Sequence, residues 1–391
     1  MPTTLPKADW TQREDLAELV AALGAENVRW VGGAVRDTMM GNDVADVDAA
    51  TTHRPEKVVE LCDAAGIRIV PTGIEHGTVT AIRPHGNVEI TTLRHDVSTD
   101  GRRATVSYAE EWKDDAARRD FTINALYADP VTLEVFDYFG GLLHMEERRV
   151  KFIGDARERI REDHLRILRY FRFNARFGYK VDREVEEACE ELASTLKGLS
   201  RERVAMEMLN LLGLLDPAHA ITRMVHLGVL QVVLPEAGDD EVMALEHLLE
   251  HEHHLETQPH ALRRMAALLP ANREVAEKVA ARLKLSKEQR KYLGLVAKRC
   301  AEDAKAPRAL AYRHGLTIAR DRLLLAGEDP APVTDWEIPV LPLKGGEIVQ
   351  RGVGAGPEVA RVLQAVERQW IAEGFPDRAR VEELLEAELA S

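Results

Sequence analysis

The sequence is short of cysteine, has no long apolar run and carries no surplus of positive charge, and each shortage closes off a class of protein. Its three cysteines, Cys62, Cys189 and Cys300, stand far apart and form no CxxC pair. Neither a disulfide framework nor a cysteine zinc site is expected, and buried free thiols are the plain reading. No apolar run reaches the roughly 18 residues that a membrane span requires, and Met1 to Trp10 shows neither a basic region nor an apolar signal core. The expected location is therefore the cytoplasm, with no membrane partner. A net charge of −14 argues against a phosphate-backbone partner if the charge is evenly spread. It is not evenly spread. From Arg148 to Lys180 eleven basic residues face four acidic ones, and from Lys278 to Arg299 eight basic residues face only Glu288. A chain of this kind can bind RNA along one face while its acidic remainder discourages binding elsewhere.

What is present is enough for a real core: 391 residues, 45% of them hydrophobic, fit two to four domains. No internal repeat of fixed period is seen. Between residue 27 and about residue 140, β-type runs alternate with helical ones. The pattern predicts strands at Val28–Val31, Val44–Ala49, Ile67–Val70, Gly77–Ile82, Val88–Thr92 and Leu133–Asp137, and helices at Ala34–Met40 and Pro55–Ala65. The polar segment Asp96 to Asp114, opening with "STDGRR", reads as a mobile loop. Beyond about Met145 strand signals nearly vanish and helical periodicity runs to the end. The fold class is an α/β head with a mixed sheet followed by an all-α remainder.

Chemistry concentrates in "RWVGGAVRDTMMGNDVADVDAATT" (Arg29–Thr52). A strand delivers Gly32 and Gly33 to the start of a helix, where glycines let a phosphate approach the backbone and the first N–H groups are free. Arg36, one turn in, can add a charged fork to the same anion. Two glycines alone are a weak signal, equally served by a tight turn and a surface Arg. The pair Asp46 and Asp48 sharpens it, because residues two apart on a strand share a face. Side-by-side carboxylates repel, and a divalent cation relieves them; Mg²⁺ accepts one or two carboxylates plus substrate phosphates, and Mn²⁺ can replace it. Glu89, flanked by β-branched residues on another predicted strand, is the third acid. Such a set can hold two metals roughly 3.5–4 Å apart, as activation of a 3′-hydroxyl and stabilisation of a leaving pyrophosphate require.

Further on, "RRDFTINAL" (Arg118–Leu126) and "REDHLRILRYFRF" (Arg161–Phe173) follow in order. The stretch from Asp155 to about Phe177 reads as one long helix, capped near Asp155 and stopped at Gly178. Along it Asp163, Arg166, Arg169 and Arg172 recur at steps of three, a row that drifts by about 60° per step and winds around the helix. Asp163 and Arg166 then address one group and Arg169 and Arg172 another, unless the row is only a solvated ion-paired face. In the preceding motif, Asp120 or Thr122 caps the helix expected to carry "INALYA".

Taken together, these motifs resemble the signature set of the class II tRNA nucleotidyltransferases. These are the CCA-adding enzymes of bacteria and eukaryotes, which share a polymerase β-type head with bacterial poly(A) polymerases. The resemblance spans residues 27 to about 215, and a weaker one continues in "PLKGGEIVQRGVGAGPEVARVL". It implies a nucleotidyltransferase head over residues 1–145, a helical neck over 146–215, a body over 216–330 and a tRNA-binding tail over 331–391. The implied activity is addition of C, C and A to the tRNA 3′ end from CTP and ATP. Asp46 and Asp48 would be the metal ligands, with Glu89 completing the catalytic acids. Gly32, Gly33, Arg36, Arg119, Asp120, Asn124, Asp163, Arg166, Arg169 and Arg172 would bind nucleotide. By that likeness Asp163 and Arg166 read the base edges, a carboxylate accepting from an amino group and a guanidinium donating to ring acceptors. The Asp96–Asp114 segment falls where the family carries a flexible loop needed for the final A, and its wording resembles alphaproteobacterial and mitochondrial-type members. The basic segment Lys278–Arg299 is assigned to the acceptor arm from charge alone. No stable protein partner is expected.

Two rival readings stay open: a poly(A) polymerase or A-adding enzyme of the same superfamily, and a non-catalytic RNA-binding relative. The histidines from His247 to His260 offer an i,i+4 pair but no HExxH order, and "RHD" (Arg94–Asp96) lacks the further ligands of a metal phosphohydrolase. Gly352-x-Gly354-x-Gly356 reads as a turn before a helix with Pro357 at its first position.

Overall fold

The computed structural model describes residues 3–99, 104–178 and 180–390. They form two compact units, Met1–Val233 and Leu234–Ser391.

The first unit is built on strands β1 (Val28–Val31), β2 (Val47–Thr51), β3 (Ile69–Gly73), β4 (Thr78–Ala81), β5 (Val88–Thr92), β6 (Arg94–Thr99), β7 (Ala104–Tyr108), β8 (Leu126–Ala128) and β9 (Val135–Asp137). Seven of these make a mixed sheet in the order β3-β4-β5-β2-β1-β8-β9. The β2–β5 pair is parallel and its neighbours are antiparallel. Helices α1 (Glu14–Leu23), α2 (Gly33–Met39) and α3 (Pro55–Ala64) belong to this head; α2 packs on β1, β2 and β8 and α3 on β3 and β4. Alternation along β1 and β2 puts Val31, Ala50 and Tyr127 into one apolar cluster with Leu93, Ala116 and Ile153. Asp48 lies directly opposite Val31 and so shares that face.

Three expectations need correction here. The segment Asp96–Asp114 is not a loop throughout: β6 and β7 pair as an antiparallel ribbon, and α4 (Trp112–Ala117) follows. The β-branched residues of "VST" and "ATVSY" supply the strand preference that the surrounding charges masked. Asp100–Arg103, part of the expected loop, lie outside the described residues. "INALYA" is not helical either. A short 3-10 turn, Thr122–Asn124, leads straight into β8, where pairing with β1 and β9 overrides local propensity.

The third correction matters most for function. After α5 (Gly141–Glu146), the expected long helix is two: α6 (Ala156–Glu162) and α7 (Arg166–Phe177). Its ends stand as expected, with the Asp155 carboxylate accepting from Glu158 N and Gly178 as the C-cap. The break falls at Asp163, which is extended at φ −148°, ψ 103°. Its Oδ1 accepts from Leu165 N at 3.1 Å, a local bond that competes with helix continuation. Helices α8 (Arg183–Leu192), α9 (Arg201–Leu212), α10 (Ala218–His226) and α11 (Val229–Val233) complete the unit. α7 buries Ile167, Leu168, Tyr170, Phe171, Phe173 and Phe177, leaving its arginines on the other side.

The second unit is helical among the described residues: α12 (Asp239–His254), α13 (Ala261–Ala267), α14 (Arg273–Arg282), α15 (Lys287–Ala297), α16 (Pro307–His314), α17 (Leu316–Leu325), α18 (Ala331–Thr334), α19 (Gly345–Gln350), α20 (Pro357–Ala372) and α21 (Arg378–Leu389). Trp370, Ile348, Val366 and Leu385 anchor one apolar core. Pro357 opens α20 at its first turn, as read from the sequence.

Candidate active site

Two of the three expected acids are neighbours across two strands. Val47 is the first residue of β2, so Asp46 immediately precedes the strand and is exposed. Asp48 pairs with Glu89 in the parallel β2–β5 register, which puts the third acid on the adjoining strand. Burial, then the neighbouring Glu89, push the Asp48 carboxyl up to about 6; Arg119 pulls it down and Asp46 adds to the rise. Carboxylates that raise one another's proton affinity also favour a divalent cation, and an all-oxygen donor set suits Mg²⁺. Among the described residues no three acidic, His or Cys side chains already converge on one point. Asp48 and Glu89 are thus neighbours, and among the described residues the acids form no finished cage.

Beside Asp48 opens a cavity of about 420 Å³ lined by Gly32, Gly33, Arg36, Arg118, Arg119, Asp120, Asn124, Asp163, Arg166, Arg169 and Phe173. Of the expected nucleotide-binding residues, only Arg172 is absent from this wall. Gly32 has φ 71°, a conformation natural to glycine, and turns β1 sharply into α2. The first N–H groups of α2 have no helical acceptor, but the helix is only seven residues long, so its dipole adds little. Arg36 is less available than its position promised. Its Nε and Nη2 bind the Asp37 carboxylate at 3.1 and 2.9 Å and its Nη1 binds Asn124 Oδ1, while its guanidinium lies 4.3 Å from the Phe177 ring centroid.

Arg119 reaches toward Gly32: a Cβ on that glycine would stand 3.4 Å from Arg119 Nη1. Its Nε donates to Tyr127 Oη at 3.1 Å and its Nη2 to Asp115 at 3.3 Å, and Tyr127 in turn donates to Asp115 at 2.6 Å. Burial opposes the Arg119 charge, but Tyr127 and Asp115 outweigh it and raise its pKa. Asp120 accepts from Arg169 Nε and Nη2 at 2.8 and 2.6 Å and from Asn124 Nδ2 at 3.0 Å. Burial pushes that carboxyl up, yet Arg169 and Asn124 prevail and hold it below the ordinary range.

The helix break places Asp163 and Arg166 at the cavity, each with a protein partner. Asp163 Oδ2 accepts from Arg203 Nη2 at 2.6 Å. Arg166 Nη1 donates to Glu162 Oε2 at 2.6 Å and to the Arg159 carbonyl at 2.8 Å. Arg172 turns away to Glu207 at 2.6 Å, and Arg169 also reaches Glu207, at 3.4 Å. Asp163, Arg166 and Arg169 thus face one cavity, and Arg169 and Arg172 share Glu207. Glu207, Arg203, Asp115 and Tyr127 were missed from the sequence. The signal for Arg203 and Glu207 is tertiary, since α9 supplies them from thirty or more residues away, whereas Asp115 stands three and four residues before the arginines it holds, a helical spacing that could have been read.

Elsewhere the expectations divide. Lys278, Lys284, Lys287, Arg290, Lys291 and Lys298 are exposed. Arg282 is paired with Glu236, and Arg299 donates to the Ala266 and Leu269 carbonyls at 3.0 Å, so those two are committed within the unit. The histidines from His247 to His254 lie on α12, and His251 Nε2 is 3.1 Å from the Glu328 carbonyl oxygen. No helix is long and apolar enough to cross a membrane among the described residues.

A mixed sheet that sets Asp48 against Glu89 beside a glycine turn is the head of a nucleotidyltransferase. The model for the poly A polymerase head domain matches residues 28–151, and one described as a probable RNA and SrmB-binding site of polymerase A matches residues 178–240. Mitochondrial CCA tRNA nucleotidyltransferase 1 of Mus musculus is 35% identical over 95% of this chain and 89% of its own length. The CCA-adding enzyme of Lactiplantibacillus plantarum is 38% identical over 62% of this chain and 58% of its own. The Bacillus stearothermophilus CCA-adding enzyme in complex with CTP superposes with a TM-score of 0.73 at 25% identity, covering 96% of this chain and 98% of that one. The chain belongs to the CCA tRNA nucleotidyltransferase family.

Proposed function

We propose that this protein adds C, C and A in turn to the 3′ end of tRNA, using CTP and ATP and releasing pyrophosphate. The observation that carries the reading is the single cavity shared by Asp48, the Gly32–Gly33 turn, Arg119 and the Asp163/Arg166 helix break. Its walls offer what each part of a nucleoside triphosphate needs: oxygen donors for a cation, N–H groups and guanidinium for phosphate, and a carboxylate–guanidinium pair for a base edge.

In the reaction the 3′-oxygen of the RNA bonds to the α-phosphorus, the bond to the pyrophosphate oxygen breaks, and the 3′-hydroxyl proton is lost. Asp46 and Asp48 would hold Mg²⁺, which supplies Lewis-acid stabilisation of the attacking and leaving oxygens. Glu89, opposite Asp48 in the strand register, would help to activate the 3′-hydroxyl by taking up its proton. Arg119 would bind the triphosphate from beside Gly32, and Asp120 with Asn124 would meet the sugar. Asp163 would accept from the amino group of cytosine or adenine, exchanging Arg203 for the base, while Arg166, still held by Glu162, donates to ring acceptors from its other N–H groups. The protein then acts as its own template. Residues 1–145 would serve as head and 146–215 as neck, both inside the first compact unit. Residues 216–330 and 331–391 would be body and tail, with the exposed lysines of α14 and α15 carrying the acceptor arm. We place the enzyme in the cytoplasm; recovery with a sealed organelle fraction would overturn that location.

The test is a gel assay on one tRNA transcript ending before the first C, after one C or after two, each supplied with CTP, ATP, both or UTP. Stepwise growth ending at CCA is expected. The match to a poly A polymerase head favours a second reading, which long A-tails made without CTP would establish; growth from the CC-ended form alone would indicate an A-adding enzyme.

A further inference from the structure

Arg159, on the helix before the break, belongs to none of the motifs discussed above. Its side chain is mostly buried, and its Nη2 donates to two successive carbonyls, Arg118 O at 2.6 Å and Arg119 O at 2.7 Å. Those carbonyls lie at and just past Arg118, the C-cap of α4, where acceptors have no helical partners. Its Nη1 binds Glu162 Oε2 at 2.6 Å. That same oxygen receives Arg166 Nη1, and Arg118 O also lies 3.4 Å from Arg166 Nη2. Arg159 and Arg166 therefore share one carboxylate oxygen and one backbone carbonyl.

The sharing joins two functions that come from separate segments of chain. Arg118 and Arg119 open the "RRD" turn, whose second arginine projects toward Gly32, while Asp120 is held from the other side by Arg169. Arg166 stands at the break between α6 and α7. The Arg159 Nε is buried and has no hydrogen-bond acceptor among the described residues, a cost retained by a side chain whose other nitrogens hold three acceptors in place.

We propose that Arg159 is a positioning residue that couples base selection to triphosphate binding, fixing the Arg118–Arg119 backbone and the direction of Arg166 at once. The inference rests on the reading of Arg166 as a base-reading residue. A lysine at 159 keeps the charge but lacks the planar fork that spans both carbonyls and Glu162.

The test compares full-length Arg159→Lys, Arg159→Gln and Arg166→Ala proteins on a tRNA transcript ending before the first C. It reads kcat and KM for CTP and UTP, KM for the transcript, and the unfolding midpoint. Arg159→Lys should lower the CTP-over-UTP preference about tenfold, the scale of one base-edge contact, and lower kcat, with transcript KM unchanged. A preference within twofold of the unsubstituted enzyme in Arg159→Lys overturns the proposal, whatever its midpoint. Arg159→Gln should lose more preference than Arg159→Lys; if it does not fold, Arg159→Lys alone decides. If Arg166→Ala keeps the preference, the base-reading assignment itself fails; if Arg166→Ala loses it and Arg159→Lys does not, only the coupling fails.

Discussion

Replacing Gly141 by alanine is a steric probe of the nucleotide-binding turn. Gly141 is buried at the start of α5, and a Cβ there would meet the Thr122 carbonyl oxygen, stand 2.9 Å from Thr122 C, and lie 3.1 Å from Leu126 Cδ2. The obstacle is backbone, so either α5 or the turn holding Asp120 and Asn124 must shift. Overpacking of this kind costs about 1–3 kcal/mol, and a rigid carbonyl as the obstacle favours the upper end. In the 233-residue first unit each kcal/mol lowers the midpoint by roughly 2–4 °C, so a fall of about 6–12 °C is expected. Gly294→Ala is the matched control. Its Cβ would stand 2.8 Å from Glu277 Cγ and 2.9 Å from Glu277 Oε1, a side chain that must turn away from its Arg273 partner but whose backbone can stay, within the body of α15. Alanine gains about 1 kcal/mol over glycine in a helix interior and offsets part of that cost, so the midpoint should fall less than that of Gly141→Ala. Calorimetric unfolding of both variants, with KM for CTP, checks the argument. Gly141→Ala should also raise KM for CTP more than KM for tRNA. A Gly141→Ala midpoint within 2 °C of the unsubstituted protein would refute the steric reasoning.

Asp46→Ala should abolish nucleotide incorporation while leaving tRNA binding by gel shift largely intact; substantial turnover with Mg²⁺ would remove Asp46 from the metal site. Of the three cysteines, Cys62 and Cys189 are buried and Cys300 is exposed, and burial pushes the Cys62 thiol up to about 11 and the Cys189 thiol higher still. A disulfide reagent at pH 8 should therefore titrate one thiol rapidly in the native protein and three after unfolding, and two rapid thiols would contradict the packing. Asp120, held below the usual range against its burial by Arg169 and Asn124, contributes stability that is complete above its unfolded value of about 3.9 and lost as pH falls through its lower native value. The gap in unfolding midpoint between the unsubstituted protein and Asp120→Asn should be constant from pH 7 to about pH 5 and shrink below about pH 4; a gap unchanged at pH 3 would rule this linkage out.

Much of the head was legible because its strands are short, apolar and well bounded. β1 and β5 fall at the expected residues, and Asp48 and Glu89 stand on neighbouring strands as expected; but β2 begins at Val47 and not Val44, which leaves Asp46 off the strand, and the parallel register of β2 and β5 had no local signal. The misreadings have a common physical source. β8 is a strand because β1 and β9 flank it, a fact outside the local window of "INALYA". The ribbon of β6 and β7 hid behind the charges around it. The break at Asp163 depends on one side-chain bond to Leu165 N, too local to disturb the periodicity on either side. Glu207 and Arg203 were invisible for the opposite reason, since their partners on α7 and at the break lie far off in sequence.

Arg36 and Arg169 of the cavity wall, and Arg172 and Arg176 farther along α7, come already accompanied: Arg36 and Arg176 by Asp37, Arg169 by Asp120 and Glu207, and Arg172 by Glu207. A bare guanidinium in solution gathers salt anions, and a ligand that displaces them draws affinity from their release, so its binding weakens steeply as salt rises. Here four arginines are matched by three carboxylates that cannot diffuse away. An incoming phosphate competes with fixed partners rather than with the ionic atmosphere, which flattens the salt dependence below what a count of arginines implies. The same competition grades anions by charge density: chloride and monophosphate gain too little to displace a carboxylate, whereas a triphosphate does, so the cell's abundant small anions leave the site clear for the substrate.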